Sequence, residues 1–210
     1  MPRMLNLKRL VVVAAVAAAS VSCGDVARSG RSPVYLIVDS LQGSRGASAP
    51  GILSGTLTSD VITIVQTPTP PCPCPTVFGD SGQVILSSAL KDIGTTGVPA
   101  APTTNNQVTI TRYHVAYVRA DGRNVEGVDV PYAFDGAVTG TVAVGGSLTL
   151  GFELVRNIAK QEAPLMQLQS SATILTTIAN VTFYGTDLVG NEVDVTGSIT
   201  VEFGNFGDPA

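Results

Sequence analysis

The stretch EVDVTGSITVEF, residues 192–203, decides the fold class. Its odd positions are Val193, Val195, Gly197, Ile199, Val201 and Phe203, and its even positions are Glu192, Asp194, Thr196, Ser198, Thr200 and Glu202. Strand side chains alternate between two faces, so this run predicts a strand with one apolar and one wet face. A 3.6-residue period would mix the two sets. SLTLGFELV (147–155) repeats the device with Leu148, Leu150, Phe152 and Leu154, and AVTGTVAV (137–144) does so with Val138, Val142 and Val144. PVYLIV and VITIV are shorter runs of the same kind.

In QVTITRYHVAYVRA (107–120), Val108 and Ile110 share one parity while Tyr113, Val115 and Tyr117 take the other. A one-residue change of phase predicts a β-bulge near Thr111–Arg112, or a strand that crosses between packing environments. Asp121-Gly122 is a two-residue hairpin signal, and VGGS and LVGNE are further turns. Only RNIAKQEAPLMQLQ has helix-like composition, and Pro164 limits it to a turn or two. With 22 Gly, 13 Pro and many short alternating runs, the expected fold is all-β, an antiparallel β-sandwich.

The chain divides into three parts. Residues 1–22 read as a targeting segment: Arg3, Lys8 and Arg9 precede the apolar run LVVVAAVAAASVS. That run is 13 residues, against the roughly 20 a membrane-spanning helix needs, so it fits a cleaved secretory signal. Residues 23–33 read as a polar tether, and 34–210 as one β-sandwich domain with no convincing internal linker. Removing the signal takes three basic residues and no acid from the 12 Lys+Arg and 16 Asp+Glu, leaving 9 − 16 = −7 on the mature chain. The remaining basic residues are scattered, which argues against nucleic acid or an anionic lipid surface as partner.

The junction SVSCG resembles the bacterial lipoprotein lipobox, with Ser20 where that motif usually has a larger aliphatic residue. The resemblance implies diacylation (palmitate-type chains) of Cys23 as the mature N-terminus, a membrane anchor in the cell envelope, and outer-membrane sorting from Gly24. The plain alternative is an ordinary signal peptide that leaves Cys23 a free thiol. VTFYGTDLVGNEVDVTGSITVEF (181–203) is similar to the last hairpin of bacterial immunoglobulin-like (Ig-like) and fibronectin-type-III-like domains, which implies an Ig-like sandwich. The chain has no Trp and lacks the paired core cysteines of antibody domains. The layout is also similar to envelope lipoproteins from which no activity carries over.

Chemistry-bearing candidates are few. Gly79-Asp80-Ser81-Gly82 resembles the trypsin-like nucleophile motif, but His114 is the chain's one histidine, it follows Ser81, and Gln83 replaces the motif's next glycine. One histidine also leaves no ordinary zinc site, and scarce aromatics lower the glycosidase and sugar-binding readings. Two acidic turns are weak calcium candidates, Asp187, Asn191, Glu192 and Asp194, and Asp121, Asn124, Glu126 and Asp129, neither with EF-hand spacing.

Cys72 and Cys74, in TPTPPCPCPT, form an even pair once Cys23 is acylated, and an exported protein meets an oxidising compartment. A local disulfide would close a three-residue ring; free thiols, pairing with another chain, or a metal or redox role are the alternatives. The expectation is thus a non-enzymatic envelope lipoprotein without cofactor. It presents its sandwich for binding or assembly, with the loops 66–76 and 94–105 as the surfaces for an envelope protein partner. A redox or metal-handling lipoprotein centred on the Cys-Pro-Cys loop is the first alternative, and an envelope hydrolase the second.

Overall fold

The structure, a computed structural model, describes residues 31–46, 51–68 and 71–207. The expected signal segment and Cys23 lie outside the described residues. Two sheets pack face to face. Strand β1 (Val34–Ser44) opens the first sheet, and β2 (Thr56–Asp60) crosses to the second. Strands β3 (Thr63–Pro68) and β4 (Pro71–Thr76) form a separate two-stranded ribbon. β5 (Asp80–Leu90) returns to the first sheet, and β6 (Gly94–Thr95) with β7 (Val98–Pro99) makes a miniature hairpin. β8 (Val108–Val118) and β9 (Phe134–Val142) belong to the second sheet, β10 (Ser147–Val155) to the first, and β11 (Leu175–Asp187) with β12 (Glu192–Gly204) completes the second.

The orders are β1-β5-β10 against β2-β12-β11-β8-β9. In immunoglobulin lettering these are A-B-E and A′-G-F-C-C′, so the sandwich is Ig-like in topology as well as in layers. All pairings within the two sheets are antiparallel except β2 with β12, which is parallel. β12 carries the expected alternation, with Val193, Ile199, Val201 and Phe203 buried and Glu192, Asp194, Thr196 and Ser198 exposed. The bulge falls where the phase change put it: Ile110 faces Gly140 and Arg112 faces Ala137, with the register shifting across Thr111 on both neighbouring strands.

The core is apolar and aromatic at its centre. Tyr113 lies 5.1 Å from Phe152, and Phe152 5.3 Å from Phe183, ring centroid to ring centroid, in tilted and edge-on arrangements that suit aromatic quadrupoles. Glycines opposite these rings make the room. Phe152 pairs with Gly82 and Tyr113 with Gly136 across the strands, and a Cβ on either glycine would stand 2.4 Å or less from a ring atom.

Three expectations need correction. Residues 66–76 are not a loop: they lie mostly in the β3–β4 ribbon. Successive strand N–H groups point to opposite edges, so Pro71, Pro73 and Pro75 strip one edge of donors and leave those of Cys72, Cys74 and Thr76 for the ladder. Likewise, 94–105 contains the β6–β7 hairpin and the start of a 3₁₀ turn at Thr104–Asn106. Finally, Asp121-Gly122 does not join two strands as a tight hairpin. It sits in a long 119–133 connection between β8 and β9, where Asp121 binds Arg119 and Arg123. The helix-like segment becomes two 3₁₀ pieces, Ile158–Gln161 and Leu165–Ser170, flanking Pro164.

Candidate functional site

Following the strands end to end separates two sets of loops. At one end lie the start of β1, the 91–107 connection, the 143–146 turn and the 188–191 turn. At the other lie residues 45–46 and 51–55, the β3–β4 ribbon, 119–133, 156–174 and the tail after β12. Each end has its own polar lock, and the two differ in chemistry.

At the ribbon end a lysine is fully enclosed. Lys160 Nζ donates to Asp80 Oδ2 at 2.8 Å and to the Asp60 carbonyl at 2.8 Å, with both side chains of the ion pair at most 2% exposed. Asp80 takes further bonds from the Ser59 hydroxyl at 2.6 Å and the Gly46 N–H at 2.9 Å. Asp60 accepts from Thr63 Oγ1, the Phe206 N–H and the Ile62 N–H, with Arg45 3.7 Å away. Gln169 closes the group by donating to the Lys160 carbonyl, and Asn205 donates to the Gln169 carbonyl. One network thus joins the ends of β1, β2, β5 and β12 to the 3₁₀ segment. Burial pushes the Lys160 ammonium below the ordinary lysine range against the pull of Asp80 and Asp60. Burial raises the Asp60 carboxyl, and its hydrogen bonds and Arg45 offset only part of that.

A buried lysine of lowered pKa invites a catalytic reading. The geometry supplies the other one. Lys160 is 1% exposed and committed to a carboxylate and a carbonyl, so no substrate reaches it in this conformation. The nearby depression lined by Ile62, Pro75, Val77, Gln161 and Met166 does not include it. The arrangement is a structural pin. Nothing in the sequence marked Lys160 or Asp60: one stands in a short helix-like run and the other in a plain strand. Asp80 drew attention only as part of Gly-Asp-Ser-Gly.

That motif does not assemble a hydrolytic triad. Asp80 points inward to Lys160, and Ser81 faces out from the three-stranded sheet. His114 lies on the outer face of the five-stranded sheet, 3.2 Å from Asp135, with the whole core between it and Ser81. Beside it Arg112 stacks 3.6 Å over the Tyr184 ring.

At the opposite end Asp187 is the lock. Its Oδ1 accepts the N–H groups of Val189 at 3.0 Å and Asn191 at 2.8 Å, its Oδ2 accepts Asn191 Nδ2 at 2.8 Å, and the Ser32 hydroxyl adds another bond. Burial pushes this carboxyl up, but the four hydrogen bonds outweigh it and hold it below the usual carboxylate range. Asp187 is 3% exposed, whereas Glu192 and Asp194 lie on the exposed side of β12, so this turn does not converge on a cation. In the other acidic turn, Asn124 Oδ1 accepts the Arg119 N–H, Glu126 the Ala133 N–H and Asp129 the Val125 N–H. The oxygens of Asp187, Asn124, Glu126 and Asp129 serve turn geometry, and among the described residues no three His, Cys, Asp or Glu side chains form a metal-holding group.

The β3–β4 register sets Cys72 opposite Thr67 and Cys74 opposite Val65. Cys74 is engaged rather than free, and the Cys72 side chain lies outside the described residues.

No protein-family model matches the chain, and no curated protein matches it. A solved structure, the X-ray structure of Northeast Structural Genomics Consortium target SoR45, aligns over 83% of this chain and 89% of its own length at 10% identity and a TM-score of 0.32. So loose a superposition carries no argument about function. The Ig-like assignment rests on the strand order of this chain.

Proposed function

We propose that the protein is an envelope-anchored lipoprotein, acylated at Cys23, which holds its Ig-like sandwich at a membrane and offers the ribbon end to an envelope partner without doing chemistry of its own. The observation that carries the reading is where the chain enters the sandwich. Ser32 is clipped to Asp187 and the Pro33 carbonyl accepts the Lys91 N–H, so the tether leaves from the end opposite the ribbon. From Cys23 to Ser32 such a segment reaches at most ~32 Å, which keeps that end close to the bilayer. The 11-residue strands then carry the ribbon end about 35 Å further out.

The far end suits presentation. Val125, Val128 and Tyr132, on the 119–133 connection, and Met166, on the pinned 3₁₀ segment, are roughly half or more exposed there. We propose a Cys72–Cys74 disulfide within the ribbon, consistent with Cys74 being engaged. Of the two surfaces expected to meet a partner, the ribbon at 66–76 is retained, and 94–105 lies at the tethered end.

Intact mass of the protein purified gently from native membranes, before and after reductant, tests the anchor and the disulfide together. A diacylglyceryl adduct on Cys23 with the first 22 residues gone, plus two hydrogens gained on reduction, is the expected result. A mature chain without lipid would overturn the anchored reading. Bound metal would move the function to the Cys-Pro-Cys ribbon.

A further inference from the structure

The tethered end carries apolar side chains where turn chemistry favours polar ones. Leu188 and Val189 occupy the two central positions of the turn closed by the Gly190 N–H on the Asp187 carbonyl, and they are 57% and 68% exposed. Ile93, at the base of the β6–β7 hairpin, and Val98, within it, are 80% and 72% exposed. These are two separate excursions of the chain, and the described N-terminus passes between them. Ser32 is bonded to Asp187 at the base of one, and Pro33 to Lys91 at the base of the other. The route to Cys23 therefore starts between two apolar tips. In antibody variable domains the corresponding B–C and F–G loops are the antigen-reading end. Here the tether turns that end toward whatever holds Cys23.

We infer that these tips are a second membrane contact. Resting on the lipoprotein reading, the inference is that Ile93, Val98, Leu188 and Val189 enter the interfacial layer of the bilayer in which Cys23 is anchored, so that the sandwich stands upright on it. A single lipid modification gives attachment without orientation. A second contact offset from the tether sets the tilt, and the apolar area it buries adds to the attachment that the acyl chains already give. The charge on this end selects the kind of surface. Asp92, Glu192 and Asp194 lie near the tips beside Arg31 and Lys91, a mixed set with no basic cluster, and the mature chain carries −7, so the fit is to a zwitterionic rather than an anionic headgroup layer. Holding this end down also leaves the ribbon end clear of lipid.

The chain has no tryptophan, so one introduced Trp reports alone. Full-length protein carrying Val98→Trp, Val189→Trp or, at the far end, Val128→Trp would be exported and acylated in a bacterial host, checked by intact mass, and reconstituted in phosphatidylcholine vesicles with shallow spin-labelled lipid. The expected result is blue-shifted emission and lipid quenching for Val98→Trp and Val189→Trp, with Val128→Trp open to aqueous iodide and untouched by the labelled lipid. Acylated protein in which all three respond alike to iodide overturns this inference and leaves the anchor standing. Protection of the two tips from iodide without quenching by the labelled lipid also overturns it, because the tips would then be covered by protein. A chain without lipid overturns both readings.

Discussion

The two ends of the sandwich are locked by different means. At the ribbon end a buried Lys160–Asp80 pair draws four strands and a 3₁₀ segment together across long stretches of sequence. At the opposite end, where β1 begins, a single carboxylate, Asp187, organises a four-residue turn and clips on Ser32. The first lock is tertiary and expensive to break, because each charge has given up water for its partner. The second is local, made of backbone N–H groups within a few residues, and its one long-range bond is to the chain's own start. A far end held rigidly and a near end free to meet a soft surface is what the proposed roles require.

The largest expected effect breaks this contrast at its strong side. Lys160→Met strands Asp80 as an unpaired buried charge and should cost about 3–5 kcal/mol, the range for halving a buried pair. Urea unfolding would read it as a lowered midpoint, and Lys160→Met with Asp80→Leu should recover much of the loss, since well-packed apolar replacements of such pairs are often neutral. A small loss in the single variant would mean that the pin is not the lock described here.

Asp187→Ala should cost about 2 kcal/mol, from charge-assisted hydrogen bonds left without an acceptor. The pH dependence sharpens the comparison, because the ends have opposite signs. Asp187 has a folded pKa below its unfolded value of 3.8, so its contribution is complete above 3.8 and is lost as pH falls through the folded value. Asp60 has a folded pKa above 3.8, so stability falls as pH rises from 3.8 through its folded value. Denaturation midpoints across the acid range should therefore lose their acid-side fall in Asp187→Asn and their opposing slope in Asp60→Asn. If both variants trace the parent's profile, the two carboxyls do not govern it.

Cys72→Ser with Cys74→Ser should lower stability by no more than about 1.6 kcal/mol, since closing a three-residue ring removes little chain entropy. Loss of function in that variant with the fold intact would favour a redox or metal role over a stiffened ribbon. The smallest expected change is Val98→Ser with Leu188→Ser, within about 0.5 kcal/mol because both side chains are exposed in the free protein. A larger thermal shift would mean that the tips support the fold.

The sequence by itself determined the layers. Alternation at 192–203 named the face of β12 that is buried, and the parity switch at 108–117 located the bulge, because a period-two pattern reports each side chain's face directly. It also marked the candidate anchor at Cys23. It misread the proline-rich stretch as a loop, since proline on alternate residues looks like punctuation until a partner strand shows that one edge alone is used. Only tertiary structure decided which strands neighbour one another, that Asp80 serves Lys160 rather than a serine, and that residues 32 and 187 meet. Periodicity is a property of neighbours along the chain. A buried charge pair between residues 80 and 160 exists only because two distant backbones close over it, and no local pattern records that.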